Sequence, residues 1–440
     1  MSGAQADRQH SSCRQPRRCC DAAATTLIAA FCSLCASFPG IAGAAHVAAP
    51  AKSDIAFVLW RNSLWNDARA MGISRATFET AFKGVTPDRS LPDLVKPGEK
   101  PQAGRGQAEF SRTPKQYLDQ RYLMRLAEKG KNLHQQHLAT LRRIEARFGV
   151  PPAVVLAIWG RETAYGTYKL RHYAIRALAT QAYLGRRKAM FRKELLYALK
   201  MLDDKVARLS DMRSSWAGAL GLTQTMPSEF YSDTVDMDGD GKRDIWRSVP
   251  DALGSAAKQL KGKGWRRGQS WGYEVTLSAP ADCALEGPKQ ARSLAEWQKL
   301  GLRRSKGQAF TPALQKVSAY LMSPAGTHGP SFLVTANFTV IKRYNPSDLY
   351  ALFVGHLADR IADEGDFATP WAAIKQLPKH EIAQIQADLK LLSYAIGKVD
   401  GLIGSNTRAE IGHFQSRNKL SVDCWPSHAL LQHLRAVTSK

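Results

Sequence analysis

The segment VPPAVVLAIWGRETAYG at positions 150–166 constrains the fold of this chain more than any other. Pro151 and Pro152 suit the first turn of a helix, where a missing N–H costs nothing. The spacing predicts a helix running to about Thr163. On it Val155, Ile158 and Glu162 stand three and four residues apart and share a face. The glutamate therefore prolongs an apolar stripe. On a solvated face that would mean little, but in a packed one an unpaired carboxylate is costly.

Glu162 also falls in the last helical turn, where unsatisfied carbonyls make the macrodipole negative. Burial and dipole both disfavour the ionised form, and such a carboxyl suits a general acid. Gly166 can end the helix and let a ligand approach. The alternative is a glutamate at a fraying helix end that points into water. A second stretch, SSWAGALGLTQTMPS at 214–228, bears on that choice. Its small residues permit close backbone approach, Ser and Gln offer neutral hydrogen bonds suited to hydroxyl and acetamido groups, and Trp and Met offer apolar surface for sugar rings. Taken by itself, it also reads as a tight helix-packing segment.

Around these stretches the pattern is mainly helical. Helices are expected within 51–85, 115–148, 173–208 and 251–263. A Pro/Gly-rich loop intervenes near 84–107, and 214–246 is irregular and glycine-rich. Strand-like alternation marks 271–280 and 331–343. Residues 366–380 read as a linker, and 381–440 as a small separate helical module.

The chain of 440 residues carries a formal charge of +24. Its first 44 residues form a basic stretch ending at Arg18, an apolar segment AAATTLIAAFCSLCASF and a small-x-small site Ala42-Gly43-Ala44. That is the layout of a cleaved secretory leader, and the apolar segment is short for a membrane anchor. The remainder keeps an excess of 22 basic over acidic residues. Such an excess favours a polyanionic partner, and nucleic acid, anionic lipid and the carboxylate-rich bacterial wall all qualify. Export and the lack of a nucleic-acid motif argue against the first. Cys283 and Cys424 alone remain after the leader. Export permits a disulfide between them, but separate thiols are equally compatible with the sequence.

Together with TPKQYL at 113–118 and QAEF at 107–110, DGDGKRDIW at 238–246, VPDALGSAAKQLKGKGW at 249–265 and NFTVIKRYNPSDLYALFVGHLADRI at 337–361, the two stretches resemble the lytic transglycosylases of the membrane-bound B family over roughly 50–365. The resemblance implies a lysozyme-like catalytic domain (51–365, core about 131–275) with helical additions and a small β element. It implies a single catalytic acid/base, at the position of Glu162, that cuts the β-1,4 bond between N-acetylmuramic acid and N-acetylglucosamine without water, leaving 1,6-anhydro ends. Ser215 and Gln224 match the family's polar active-site positions, Tyr117 and Tyr344 its cleft tyrosines, and Met226 lies in the same segment. Thr225 stands where an aromatic is often found. No cofactor is implied for bond cleavage. The partner implied is peptidoglycan glycan, cut by a monomeric periplasmic enzyme that does not bind nucleic acid or stay on the membrane.

Asp236, Asp238 and Asp240 alternate as at the start of an EF-hand loop, with Gly241 sixth. The twelfth position is Arg247 rather than Glu. The resemblance points instead to Asp251 as the closing ligand and to the backbone carbonyl of Lys242 as a further one, around a structural calcium ion. A plain Asp-Gly turn without an ion is the alternative. Residues 381–434, with Tyr394, Gly397, Val399-Asp400-Gly401, Gly404, Thr407-Arg408 and Phe414-Gln415, are similar to the three-helix peptidoglycan-binding domain, in which Ile411 and Phe414 would be core. Two other readings compete with a transglycosylase. A muramidase that uses water would need a partner carboxylate, since glycosidases ordinarily use two. A catalytically silent wall-binding scaffold would not need Glu162 intact.

Overall fold

The computed structural model describes residues 52–95 and 111–439, with side chains from 55 onward; the leader and the QAEF segment lie outside the described residues. Residues 51–440 form one compact unit. The architecture is mainly α with a small antiparallel sheet.

The helix at the centre is Pro152–Thr163, with Pro152 at its first position and every residue from Val154 to Gly160 buried. It packs against Gln120–Gln136, Val249–Gly262 and Asp348–Ile361. Leu123, Ile144, Val155, Ile158, Leu253, Phe353 and Leu357 meet in one core. Burying a side chain of that size contributes about 1.5–3 kcal/mol. The expected helix over 115–148 is broken at His137 into Gln120–Gln136 and Leu138–Phe148. A second core lies under the N-terminal helices Lys52–Ser63, Trp65–Ala70 and Arg75–Phe82, which rest on Ala174–Leu184 and Lys188–Asp203 through Phe57, Phe78, Phe191 and Leu195.

The five-stranded sheet runs Arg292–Ser293, Ser318–Met322, Ser331–Thr335, Gly272–Thr276, Arg303–Arg304, with every pairing antiparallel. Strand character predicted across 331–343 stops at Thr335. Its side chain accepts a hydrogen bond from the Asn337 backbone N–H and starts the helix Ala336–Ile341. Asn337, fully buried, then bonds the backbone of Arg266 and Gln269 on the neighbouring loop. A local cap and a buried amide thus override the β-branched pattern.

The C-terminal helices Lys379–Leu391, Ser405–Arg417 and His428–Thr438 close around Ile385, Leu389, Ile411, Phe414 and Leu434. This module is docked on the sheet domain. Cys283 and Cys424 form a disulfide across 141 positions of sequence. Closing so long a loop is worth about 5 kcal/mol on the chain-entropy argument. Arg408, buried, donates through Nε and Nη2 to Glu286, at 2.9 and 2.5 Å, and Glu286 accepts from Ser323 N–H as well. Burial pushes the Glu286 carboxyl up to about 7, against the pull of Arg408. The segment expected to be a linker is also held: Ala368 and Thr369 donate backbone N–H bonds to Glu274, and Ala372 to the carbonyl of His328. Among the described residues no helix is long and apolar enough to cross a membrane.

Removing one member of a buried ion pair leaves the other charge uncompensated. Arg408→Met should therefore lower unfolding free energy by about 3–5 kcal/mol in urea titration. Adding Glu286→Leu should recover most of the loss; no recovery would mean the ion pair is not what Arg408 supplies.

Candidate active site

The Pro152–Thr163 helix ends abruptly. Ala164 at φ 48° and Tyr165 at φ 59° both take the left-handed conformation, followed by Gly166 at 76°. Two consecutive non-glycine residues in that region are strained and persist only where their surroundings hold them. Thr163 does much of the holding: its hydroxyl donates to the carbonyl of Leu222 at 2.6 Å and accepts from Gly166 N–H at 3.1 Å. The buried Tyr165 ring folds back over Gly160, and its hydroxyl donates to the Leu126 carbonyl at 2.9 Å. The helix thus stops one turn past its core, with Glu162 at the edge of the packed interior, half-buried.

Glu162 receives a hydrogen bond at Oε1 from the hydroxyl of Tyr350, which belongs to the facing helix Asp348–Ile361. Burial raises the Tyr350 phenol well above its ordinary value, and the charge of Glu162 adds to that rise. Tyr350 therefore keeps its proton and stays a donor. Arg161, next along the chain, turns the other way. It donates to the Tyr117 hydroxyl and lies over the rings of Tyr117 and Phe353, 4.9 and 4.8 Å from their centroids. Although burial works against it, Arg161 is held cationic by Tyr117 and Glu162.

Glu162 opens into a cavity of about 470 Å³. Ser215, Gln224 and Tyr344 line it with Glu162, as do Trp216, Asn345 and Tyr350. Glu162 is the one carboxylate among the described residues that line it. Gln224, at φ 55°, is kept in its loop by a bond from its side chain to the Gly221 carbonyl. That loop is tied to the Glu162 helix through Leu222 and Thr163. A two-residue antiparallel ladder, His172–Tyr173 with Arg213–Ser214, fixes the opposite wall. Tyr117 is buried behind the site, on Arg161, and does not line the cavity. Met226 precedes the helix Pro227–Asp233 and is half-buried outside the lining. Thr225 is buried and pairs its backbone with Leu220, so the aromatic surface in the cavity comes from Tyr168, Trp216, Tyr344 and Tyr350 instead.

Tyr350 is the residue that sequence reasoning missed. It sits 188 positions from Glu162, and in DLYALFVGHLADRI it reads as one more apolar-face aromatic. A phenol at the start of a buried stripe, needing a partner for its hydroxyl, was the available signal.

The acidic loop folds as an ion-binding loop would. One carboxylate oxygen each from Asp236, Asp238, Asp240 and Asp251 fall within 4.8 Å of one another. Burial raises the Asp251 carboxyl; its oxygens accept from the backbone N–H groups of Met237 and Asp244 at 2.7 and 2.8 Å. Arg247, the residue at the twelfth position, turns away to pair with Asp211 and Asp244. Lys242 is exposed. The donor set is all oxygen and clustered, which fits a hard cation such as calcium. The loop also supports the cavity: Ile245 accepts from Leu222 N–H at 2.9 Å, the same Leu222 that holds Thr163.

These features define a cavity on a helical scaffold with a single carboxylate among its described lining residues. Residues 56–359 match the family described as "Transglycosylase SLT domain", and residues 379–434 match "Putative peptidoglycan binding domain". The chain belongs to the lytic transglycosylase family. It is 31% identical over 228 residues to membrane-bound lytic murein transglycosylase B of Escherichia coli (strain K12), a stretch covering 52% of this chain and 61% of that protein. The chain thus matches about three fifths of that relative's length. Among solved structures, SltB3 from Pseudomonas aeruginosa in complex with NAG-NAM-pentapeptide is 39% identical, covers 86% of this chain and 99% of that one, and superposes with a TM-score of 0.77. The Escherichia coli lytic transglycosylase Slt35 in complex with calcium is 26% identical over 70% of this chain and 93% of that one, with a TM-score of 0.56.

A Cβ at residue 160 would fall 2.7 Å from the Tyr165 ring. Gly160→Ala should therefore push Tyr165 out of place and destabilise the protein by about 1–3 kcal/mol in chemical denaturation. Unchanged stability would show that the Tyr165 turn does not depend on this contact.

Proposed function

We propose that this chain is an exported peptidoglycan lytic transglycosylase, in which residues 51–365 cut the glycan, residues 381–440 hold the wall, and residues 1–44 direct export to the periplasm. The observation that carries this reading is Glu162: one carboxylate, fixed by Tyr350, in a cavity with neutral hydrogen-bonding groups and aromatic rings. Glycosidases that use water ordinarily work with two carboxyl groups about 5–9.5 Å apart. A site with one must act as acid and then base in turn, and that matches attack by a hydroxyl of the sugar itself.

In this reading Glu162, protonated, gives its proton to the glycosidic oxygen as the C1–O bond of N-acetylmuramic acid breaks. The resulting carboxylate then takes the proton of the C6 hydroxyl while O6 bonds to C1. No water enters, and Glu162 returns to its starting form. The Tyr350 hydroxyl positions the carboxyl and steadies the charge it gains. Ser215 and Gln224 offer hydrogen bonds to hydroxyl and acetamido groups, and Trp216 and Tyr344 give sugar rings a surface. Tyr117 acts indirectly, by holding Arg161, and Met226 by shaping the loop behind Gln224. Substrates of this kind carry peptides on their muramoyl units, as does the ligand in the SltB3 structure.

Calcium in the acidic loop would be structural. Asp236, Asp238, Asp240, Asp251 and the Lys242 carbonyl would hold it. It would offset half the charge of four crowded carboxylates and so stiffen the chain of contacts from Ile245 through Leu222 to Thr163. The chain is expected to act as a monomer.

Purified sacculi digested with the mature protein should release muropeptides lighter by one water than hydrolytic products. Glu162→Gln should reduce their formation by about 10²–10⁴-fold by mass spectrometry, the range for general acid–base catalysis. Hydrated reducing ends would replace this reading with a muramidase. In a second test, millimolar calcium should raise the melting temperature after chelator treatment, by ligand linkage, and Asp251→Asn should remove that increment. Identical melting with and without calcium would leave an ion-free loop.

A further inference from the structure

The first turn of the helix Asp348–Ile361 carries Tyr350, whose hydroxyl holds Glu162. That turn is gripped from the side away from Glu162. Asp348 opens it: Oδ1 accepts from Lys342 Nζ at 2.7 Å, and Oδ2 stands 3.9 Å from Nη2 of Arg408. Arg408 comes from the C-terminal module. The module and the catalytic body enclose a cleft of about 480 Å³, and Lys342, Asp348 and Arg408 line it together.

Arg408 is a fixed point in this cluster. Its side chain is buried, Nε and Nη2 donate to Glu286, and Nη1 donates to the carbonyl of Ile403 at 2.8 Å. Glu286 in turn accepts from the N–H of Ser323, just past the strand Ser318–Met322. A planar guanidinium bonded along both edges has little freedom to turn. At 3.9 Å its contact with Asp348 is an ion pair rather than a hydrogen bond. The side chains are only 4% and 20% exposed, so water and salt screen the attraction weakly.

Asp348 can pass this position on. A single methylene joins its carboxylate to the backbone, so a carboxylate held from two sides holds the chain as well. Its charge also suits the positive end of the helix. Tyr350 follows two residues later, about 3 Å along the helix axis. Its N–H bonds the hydroxyl of Ser347, the cap of the same turn, at 3.4 Å. Before Asp348, the N–H of Ser347 donates to Asn345 Oδ1 at 3.0 Å, and Asn345 lines the Glu162 cavity with Tyr344. Contacts thus run without a break from the module to the carboxyl, through Arg408, Asp348, Tyr350 and Glu162.

We infer that Arg408 is a positioning residue for the Glu162 carboxyl: by holding Asp348 at the start of its helix, the docked module sets where Tyr350 presents its hydroxyl. The inference rests on the proposed function for the role of Glu162. It gives the module a task besides holding the wall, and it ties that task to turnover rather than to affinity.

A double-mutant cycle on the full mature chain tests this. One arm is Arg408→Met/Glu286→Leu, which removes the guanidinium without leaving a buried charge unpaired. The other is Asp348→Asn. Each arm should lower kcat on soluble, uncrosslinked glycan strands about three- to thirtyfold with KM nearly unchanged, and the combination should go no lower than the larger single loss. Amide hydrogen exchange should quicken across 344–352 in both arms and stay at the wild-type rate in the helix Pro152–Thr163. Unchanged kcat in the Arg408 arm, a change confined to KM, additive losses, a kcat loss that only follows melting temperature, or unchanged exchange across 344–352 would each overturn the inference. A wild type that releases no anhydro product would overturn the catalytic reading instead, and quickened exchange across 344–352 would still support the link from Arg408 to Tyr350.

Discussion

The hydrogen bond from Tyr350 to Glu162 joins two helices that also meet through apolar packing and through the Arg161 guanidinium lying over the Phe353 ring. A carboxyl at the edge of a close-packed core has few ways to be satisfied, and here the partner is a buried phenol on the opposing helix. The rest of the site is arranged around that meeting. Ala164 and Tyr165 take strained backbone so that the helix ends one residue past Glu162. Thr163 ties this turn to Leu222, and Leu222 ties it to the acidic loop at Ile245. Each link is a single hydrogen bond, worth about 1 kcal/mol net. Their value lies in fixing one geometry for the Glu162 carboxyl, the group proposed to give and take a proton at the same place.

The features legible in the sequence are local ones. The Pro-Pro start, the apolar stripe and the glutamate at its end follow from helical periodicity. The acidic loop could be read because alternating aspartates and a sixth-position glycine carry their own spacing, and even the displaced closing residue, Asp251, lies within the same segment. Ser215, Gln224 and Tyr344 meet Glu162 across the cavity, but their type alone did not place them there. They were singled out through the resemblance to a known family.

What the sequence withheld depends on contacts between distant segments. Tyr350 looks like core until its hydroxyl finds Glu162. Tyr117 was expected in the cleft and instead lies behind it, because Arg161 needs a buried partner. Strand character ran past Thr335 on paper, whereas a cap and the buried amide of Asn337 turn the chain into helix. The docking of the C-terminal module was also hidden. Arg408 read as a residue of the module's own signature, yet its guanidinium is spent on Glu286 of the sheet domain, and Cys283 and Cys424 carried no sign of pairing in their spacing. Rigid docking changes the expected behaviour of the protein, since a cleft exists only where the two parts meet.

The central claim is that Tyr350 fixes Glu162 for proton transfer. The most direct measurement compares steady-state release of anhydro muropeptides by the wild type and by Tyr350→Phe, with melting temperature measured on the same samples. Loss of a hydrogen bond to a charged group should lower kcat about ten- to a hundredfold while KM and melting temperature hold nearly constant. Wild-type kcat in Tyr350→Phe, or a loss of activity that only tracks unfolding, would contradict the account.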